Sequence, residues 1–288
     1  LPQTEFPPAS AGVEVRFGAK SRRGAHRAVN EDHYCVIELG RHQETLLSSL
    51  TTELPPRFDE FGHAIMVADG AGPYGSGETV SRLALGALNQ LMLQFGRWNL
   101  RVNDEVAQEI MQRAERFVRH VDTAIADGNR ATGPRAQTTL TVVFGAGRDL
   151  FFAHVGHSRA YLYRDHLLMR LTRDHTVSAG SRPLSMAPLV DVNASAVDLT
   201  HILTNSLGMA ASAGPLIDIE RFRILDGDRI LVCTNGLTDA IPGDLIAVVL
   251  SSNLSPEEQA GRLIAAAEEA QARDDVTAVV AHYKVPGG

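Results

Sequence analysis

Apolar and polar residues alternate from Val13 to Phe17, a period of two that predicts a strand. A second strand is expected over 33–38. A third is expected over 64–68, where Ala64-Ile65-Met66-Val67-Ala68 is apolar without a break and reads as buried. The period then changes. Val80, Leu83, Ala84, Ala87, Leu88 and Leu91 recur at helical spacing and predict a helix over 78–95. A second helix is expected over 103–126, with Asn103 as its cap and Val106, Ile110, Phe117, Val121 and Ile125 near one face. Four short β-rich runs follow, at 138–144, 150–155, 160–164 and 167–171. Their links are too short for parallel crossovers, so antiparallel pairing is expected. Strands over 217–225, 229–233 and 276–283 and helices over 242–250 and 256–271 complete the pattern. Two helices followed by a strand cluster point to an α+β fold with helices outside antiparallel sheets, not to a βαβ alternation.

Three stretches fall outside this pattern. Residues 1–12 are polar and Pro-rich and are expected to form a flexible tail, not a signal peptide; Leu1 implies that the native start is missing or trimmed. Residues 41–62, with Pro55-Pro56, are expected as an insertion or long hairpin loop. Residues 174–212, with Pro183 and Pro188, are expected as a surface flap. The remainder, 13–288, is expected to be one domain.

Composition narrows the function classes. A chain of 288 residues can bury a full core, and 44% hydrophobic with 21% charged residues is ordinary for a globular protein. A formal net charge of -7 argues against a nucleic-acid surface. No apolar run reaches about 18 residues, so no membrane span is expected. Cys35 and Cys233 each sit in an apolar run, which suggests buried free thiols in a reducing cytoplasm.

Candidate chemistry begins at Val67-Ala68-Asp69-Gly70-Ala71. A carboxylate at the end of a strand, beside a glycine whose carbonyl can approach closely, suits a hard metal ion; it equally suits a strand-to-helix turn. Gly70, Gly72 and Gly75 match the dinucleotide pattern G-x-G-x-x-G, but Asp69 would repel a pyrophosphate and no parallel unit follows. Residues 72–79 approach a P-loop, yet Glu78 stands where the phosphate-gripping lysine belongs. Both nucleotide readings are set aside. Glu31 and Asp32 precede a strand, Asp69 ends one, Asn235 follows one, and Asp274 and Asp275 open one. Each alone reads as a turn residue. Together, with no Cys or His cluster, they point to Mg²⁺ or Mn²⁺ over zinc.

The order of the motifs resembles the metal-dependent protein phosphatases of type 2C, the PPM class, and the resemblance runs from about Val13 to Tyr283. Arg27-Ala28-Val29-Asn30-Glu31-Asp32 resembles R-x-x-N-E-D, and 67–72 resembles V-x-D-G-x-G-G, continued by Gly77, Glu78 and Ser81. Thr138-Thr139-Leu140 resembles G-T-T-L, 154–161 resembles A-x-V-G-D-S-R-x-Y, and 171–176 resembles L-T-x-D-H-S. Residues 227–239 resemble G-D-x-L-L-L-C-S-D-G-L-T-D, and 274–277 resemble D-N-I-T. The resemblance implies a four-layer αββα sandwich, two antiparallel β-sheets flanked by helices. It implies a cytoplasmic serine/threonine phosphatase of bacterial type that hydrolyses phosphoserine or phosphothreonine through a metal-activated water, with Mn²⁺ or Mg²⁺ as cofactor. Two ions are implied, and a third is possible. Asp69 would bridge the two, Glu31 and the Gly70 carbonyl would bind one with Asp32 in support, and Asp274 would bind the other. Arg27 would grip the substrate phosphate. A phosphorylated protein and a Ser/Thr kinase or its targets are the implied partners, and neither nucleic acid nor membrane is among them.

The pattern is broken at several positions. Asn235 replaces an aspartate of the metal site with an uncharged amide, which should weaken the ion shared with Asp69 and Asp274. His157 replaces an aspartate linked to the third ion, for which Asp239 remains, and could substitute nitrogen for oxygen there. Ala71 stands where some relatives have a histidine, and Gln137 where the motif has glycine. These changes leave an alternative: a weakened or inactive phosphatase-like module that binds a phosphoprotein or regulatory partner.

Overall fold

The unbroken apolar runs belong to strands that are covered on both faces. The computed structural model describes residues 12–50, 57–95, 102–133, 135–177, 203–209 and 214–286. The tail over residues 1–11 lies outside them. One sheet is built from β1 (Glu14–Arg22), β7 (Arg159–Arg164), β8 (Leu167–Arg170), β10 (Arg229–Cys233) and β11 (Val276–Lys284), in the order β1-β11-β10-β7-β8. The other contains β2 (Asp32–Glu44), β3 (Arg57–Ala71), β5 (Leu140–Ala146), β6 (Asp149–Val155) and β9 (Asp218–Arg223) in that order, with the two-residue β4 (Gln137–Thr138) paired to the end of β3. The neighbouring strands pair antiparallel throughout.

Strict alternation along the central strands assigns each side chain to a layer. In β3, Ile65 and Val67 face the other sheet, where they join Val143, Phe152, Ile230, Val232 and Val279. Ala64, Met66 and Ala68 face outward under α1 (Ser76–Phe95) and α2 (Asp104–Thr132). In β10 and β11, Leu231, Cys233, Ala278 and Val280 pack outward against α4 (Gly243–Ser251) and α5 (Pro256–Glu269). The result is the expected αββα sandwich. The Asn103 side chain caps α2 by accepting from the Val106 amide at 2.8 Å, and a Ser255–Glu258 capping box starts α5. A short helix not anticipated from periodicity, α3 (Asn235–Ala240), follows β10 directly.

Two loop expectations need correction. The two ends of 41–62 are strand: β2 and β3 pair in register from Asp32↔Asp69 to Glu44↔Arg57, so the hairpin connection is only 45–56, and Arg41 pairs with the buried Glu60 at 2.6 Å. Charged and polar residues at these strand ends hid the hairpin's length. Residues 178–202 and 210–213 of the proposed flap lie outside the described residues, but its described ends are not surface chain. Asp174 pairs with Arg159 and Arg170, His175 and Thr176 are buried, and Leu207 bridges to Thr138. The first strand is also longer than expected, and takes in Ser21 and Arg22 of the basic stretch. No helix among the described residues is long and apolar enough to cross a membrane.

Leu231 is fully buried between β10 and the outer helices. Leu231→Ala should lower the unfolding free energy by about 2–5 kcal/mol in urea titrations, and a loss under about 1 kcal/mol would contradict this packing.

Candidate active site

One end of the sandwich collects the acids. Asp32, at the start of β2, and Asp69, near the end of β3, are direct cross-strand partners. Glu31 immediately precedes β2, and its carbonyl accepts from the Gly70 amide at 3.1 Å. Asp274 and Asp275 immediately precede β11, and Asn235 opens α3 after β10. The two sheets are joined here through Asp32, whose Oδ2 accepts from Thr234 Oγ1 and Thr277 Oγ1, each at 2.8 Å.

The backbone around Asp69 is clamped. Its amide donates to Thr139 Oγ1 at 3.0 Å, and its carbonyl accepts from the Thr139 amide and Thr138 Oγ1, both at 2.9 Å. Thr139 is in turn held by Ser158 at 2.8 Å. The start of α1 lies directly against this strand end. A Cβ on Gly70 would come within 2.0 Å of the Gly77 carbonyl, and one on Gly77 within 2.6 Å of the Glu31 carboxylate. Glycine at both positions is therefore a packing requirement. Ser81 Oγ on α1 donates to the Glu31 carbonyl at 2.6 Å.

Asp275 acts as a clip. Its two oxygens accept from the Gly24 amide at 2.8 Å and the Glu31 amide at 2.7 Å, tying both ends of the loop that carries Arg27 to the start of β11. The Arg27 guanidinium lies between acids, bonded to Asp274 at 2.7 Å and to Glu31 at 3.2 Å. It is half-exposed, so its fork reaches the mouth of the site. His157 Nδ1 stands 3.8 Å from Asp69 Oδ2. The Asn235 amide donates to Asp239 at 3.0 Å, which leaves Oδ1 as its remaining acceptor.

Burial sets the electrostatics. It pushes the Asp32 carboxyl up to about 7, against the pull of its two threonine hydroxyls. It raises Asp69 well above the usual carboxylate range, and the nearby Asp32 and Asp274 add to the effect. Glu31 is raised by burial and drawn back by Arg27. Asp32 Oδ1 and Asn235 Oδ1 are buried with no hydrogen-bond partner. Buried oxygens without donors, among carboxylates that resist ionisation, fit a hard divalent cation. Among the described residues no three His, Cys, Asp or Glu side chains are gathered into a metal-binding group. Arg27 supplies the positive charge that Glu31 and Asp274 have in this structure.

Sequence reasoning found Arg27, Glu31, Asp32, Asp69, Gly70, Asn235 and Asp274, and the fold brings their segments to this end of the sandwich. It placed Asp275 among the strand-end acids without its role as a backbone clip, and overlooked the threonines that fix Asp32 and Asp69. Their signal was present, since Thr138-Thr139 and Asp274-Asp275-Val276-Thr277 lie inside the motifs, but a hydroxyl's partner is not visible without the fold.

A family model for protein phosphatase 2C matches residues 57–260. The chain belongs to the protein phosphatase 2C family. It is 31% identical over 284 residues to the serine/threonine protein phosphatase PstP of Mycobacterium tuberculosis, which covers 93% of this chain and 45% of PstP. The chain thus spans about half the length of that relative. It is 24% identical over 220 residues to the serine/threonine phosphatase Stp of Listeria monocytogenes, covering 75% of this chain and 82% of Stp. The crystal structure of the PstP catalytic domain in complex with two manganese ions is similar with a TM-score of 0.67 and 28% identity, covering 94% of this chain and 99% of that one. The Streptococcus agalactiae serine/threonine phosphatase shares the fold with a TM-score of 0.72.

Two predictions arise from this geometry. Asp275→Ala strands two backbone amides and should cost about 2–4 kcal/mol in urea titrations, whereas an unchanged midpoint would mean that the clip carries no load. The second concerns pH. An ordinary aspartate ionises near 4 in the unfolded chain, while Asp32 in the fold keeps its proton up to about 7. Between those values the unfolded state holds fewer protons, so this group's contribution to the stability of the metal-free protein falls as pH rises and levels off above about 7. Asp32→Asn removes that slope. Wild type minus variant should therefore decline across the window in thermal melts, and a flat difference would refute the assignment.

Proposed function

We propose that this chain is a phosphoserine/phosphothreonine protein phosphatase that depends on Mn²⁺ or Mg²⁺. The observation that carries the reading is the cross-strand pairing of Asp32 with Asp69 at the end of the sandwich where Arg27 bonds Glu31 and Asp274, with Asp32 Oδ1 and Asn235 Oδ1 buried and without hydrogen-bond partners. Family membership supports it, and so does the manganese in the PstP domain. Asp69, Glu31, the Gly70 carbonyl, Asp274 and Asp32 are the residues that would hold the ions, with Asn235 as a neutral ligand and Asp239 and His157 at a third position. Bound there, a divalent ion supplies a water acidic enough to attack phosphorus.

The chain's own groups do the rest. Arg27 presents a planar fork at the mouth and can exchange a carboxylate for two phosphate oxygens. Thr138, Thr139 and Ser158 fix the Asp69 backbone, so its carboxylate does not turn away. Asp275 holds the Arg27 loop at a set distance from β11. Asn235 lowers the charge available to the ions by one, and Asp239 orients its amide. The domain is expected to extend over 13–288, and free Cys35 and Cys233 support a cytoplasmic location. Substrates are products of a Ser/Thr kinase.

With Mn²⁺ added, hydrolysis of a phosphothreonine peptide should exceed that of Asp69→Ala by at least about 100-fold, and Arg27→Ala should raise KM about tenfold or more. Equal rates in wild type and Asp69→Ala would leave only the non-catalytic module. Calorimetry should show tighter Mn²⁺ binding in Asn235→Asp than in wild type; unchanged affinity would show that Asn235 is not a ligand.

A further inference from the structure

The turn between β3 and α1 carries a side chain that the fold does not use. Tyr74 is fully exposed, at 104% of its reference area, and sits in the left-handed region at φ 56° and ψ 31°. A bulky residue there is strained, and glycine would not be. The turn closes without the ring. Pro73 fixes the first φ, and its carbonyl accepts from both the amide and the hydroxyl of Ser76, the latter at 2.7 Å. Gly75 follows at φ 75°, so two successive residues are left-handed and only the second is glycine. An aromatic ring held in water by a strained backbone contributes nothing to the core.

Its position indicates what the ring meets. The turn leads directly from Asp69 and Gly70, and a Cβ on Gly75 would lie 3.8 Å from Val29 Cγ2. Val29 is 45% exposed and sits in the loop between Arg27 and Glu31. The turn that carries Tyr74 and the loop that carries Val29 therefore meet at Gly75, and Val29 lies two residues from the arginine assigned to phosphate. We propose that Tyr74 and Val29 form a specificity surface for an apolar side chain next to the phosphorylated residue of the substrate. The proposal rests on the phosphatase reading for the identity of the ligand. A tyrosine ring suits the task, since it offers a large contact area and loses little side-chain freedom on binding.

The test uses non-hydrolysable phosphonate analogues of two phosphothreonine peptides, one with leucine and one with glycine beside the phosphorylated residue, titrated calorimetrically with Mn²⁺ present. Wild type should bind the leucine peptide about fivefold or more tightly over the glycine peptide. Tyr74→Gly should bring the ratio close to one, and Val29→Ser should reduce it. Thermal melts of Tyr74→Gly should give a midpoint at or above that of wild type, because the strain is relieved and no packing is lost. A ratio unchanged by Tyr74→Gly, no preference in wild type, or no binding of either peptide would overturn the proposal. A lowered midpoint would also overturn it, since the ring would then be structural. Turnover of the corresponding phosphate peptides is measured separately: intact preference without turnover defeats the phosphatase reading and leaves the surface standing.

Discussion

Asp32 is the group on which the two sheets converge. Its backbone belongs to β2, while its carboxylate is gripped by Thr277 on β11 of the other sheet and by Thr234, the residue between β10 and α3. Burying such a carboxyl is unfavourable, and the fold offsets this with only two hydroxyl donors, leaving one oxygen without a partner. That single arrangement explains several features of the site. It ties β2, which pairs with β3 at Asp69, to β11 three residues beyond Asp274, and Arg27 supplies positive charge to the neighbouring Glu31 and Asp274.

Most of the architecture could be read from periodicity, because the central strands are covered on both faces and carry no polar interruption. The run 64–68 is a case in point, its alternate residues serving the inter-sheet and helix-facing cores. The hairpin over 41–62 was not legible, since its exposed polar residues look like loop. The short α3 was not legible either, being too brief for a helical period. The acids were found from their positions at strand ends, and their convergence followed from the family resemblance. Thr138, Thr139, Thr234, Thr277 and Asp275 lay inside the motifs or the acid set, but their roles were not legible because they act through hydrogen bonds to residues distant in sequence.

The substitutions at Asn235 and His157 are best understood through their neighbours. Asn235 Oδ1 is buried without a hydrogen-bond partner while its amide donates to Asp239, so under the proposed function the position offers an uncharged oxygen. His157 lies within 3.8 Å of Asp69, where a second carboxylate would otherwise add repulsion to an acid already hard to ionise. Both changes lessen the negative charge at the same end of the sandwich. Under the proposed function, both would alter the metal preference and affinity of the site.

Diffraction from crystals soaked in manganese, measured at the manganese absorption edge, addresses the central claim directly. The account predicts anomalous density in contact with an Asp69 carboxylate oxygen, with Arg27 displaced from at least one of its two acids. Absence of density at Asp69 in fully soaked crystals, with Arg27 still bridging Glu31 and Asp274, would contradict it.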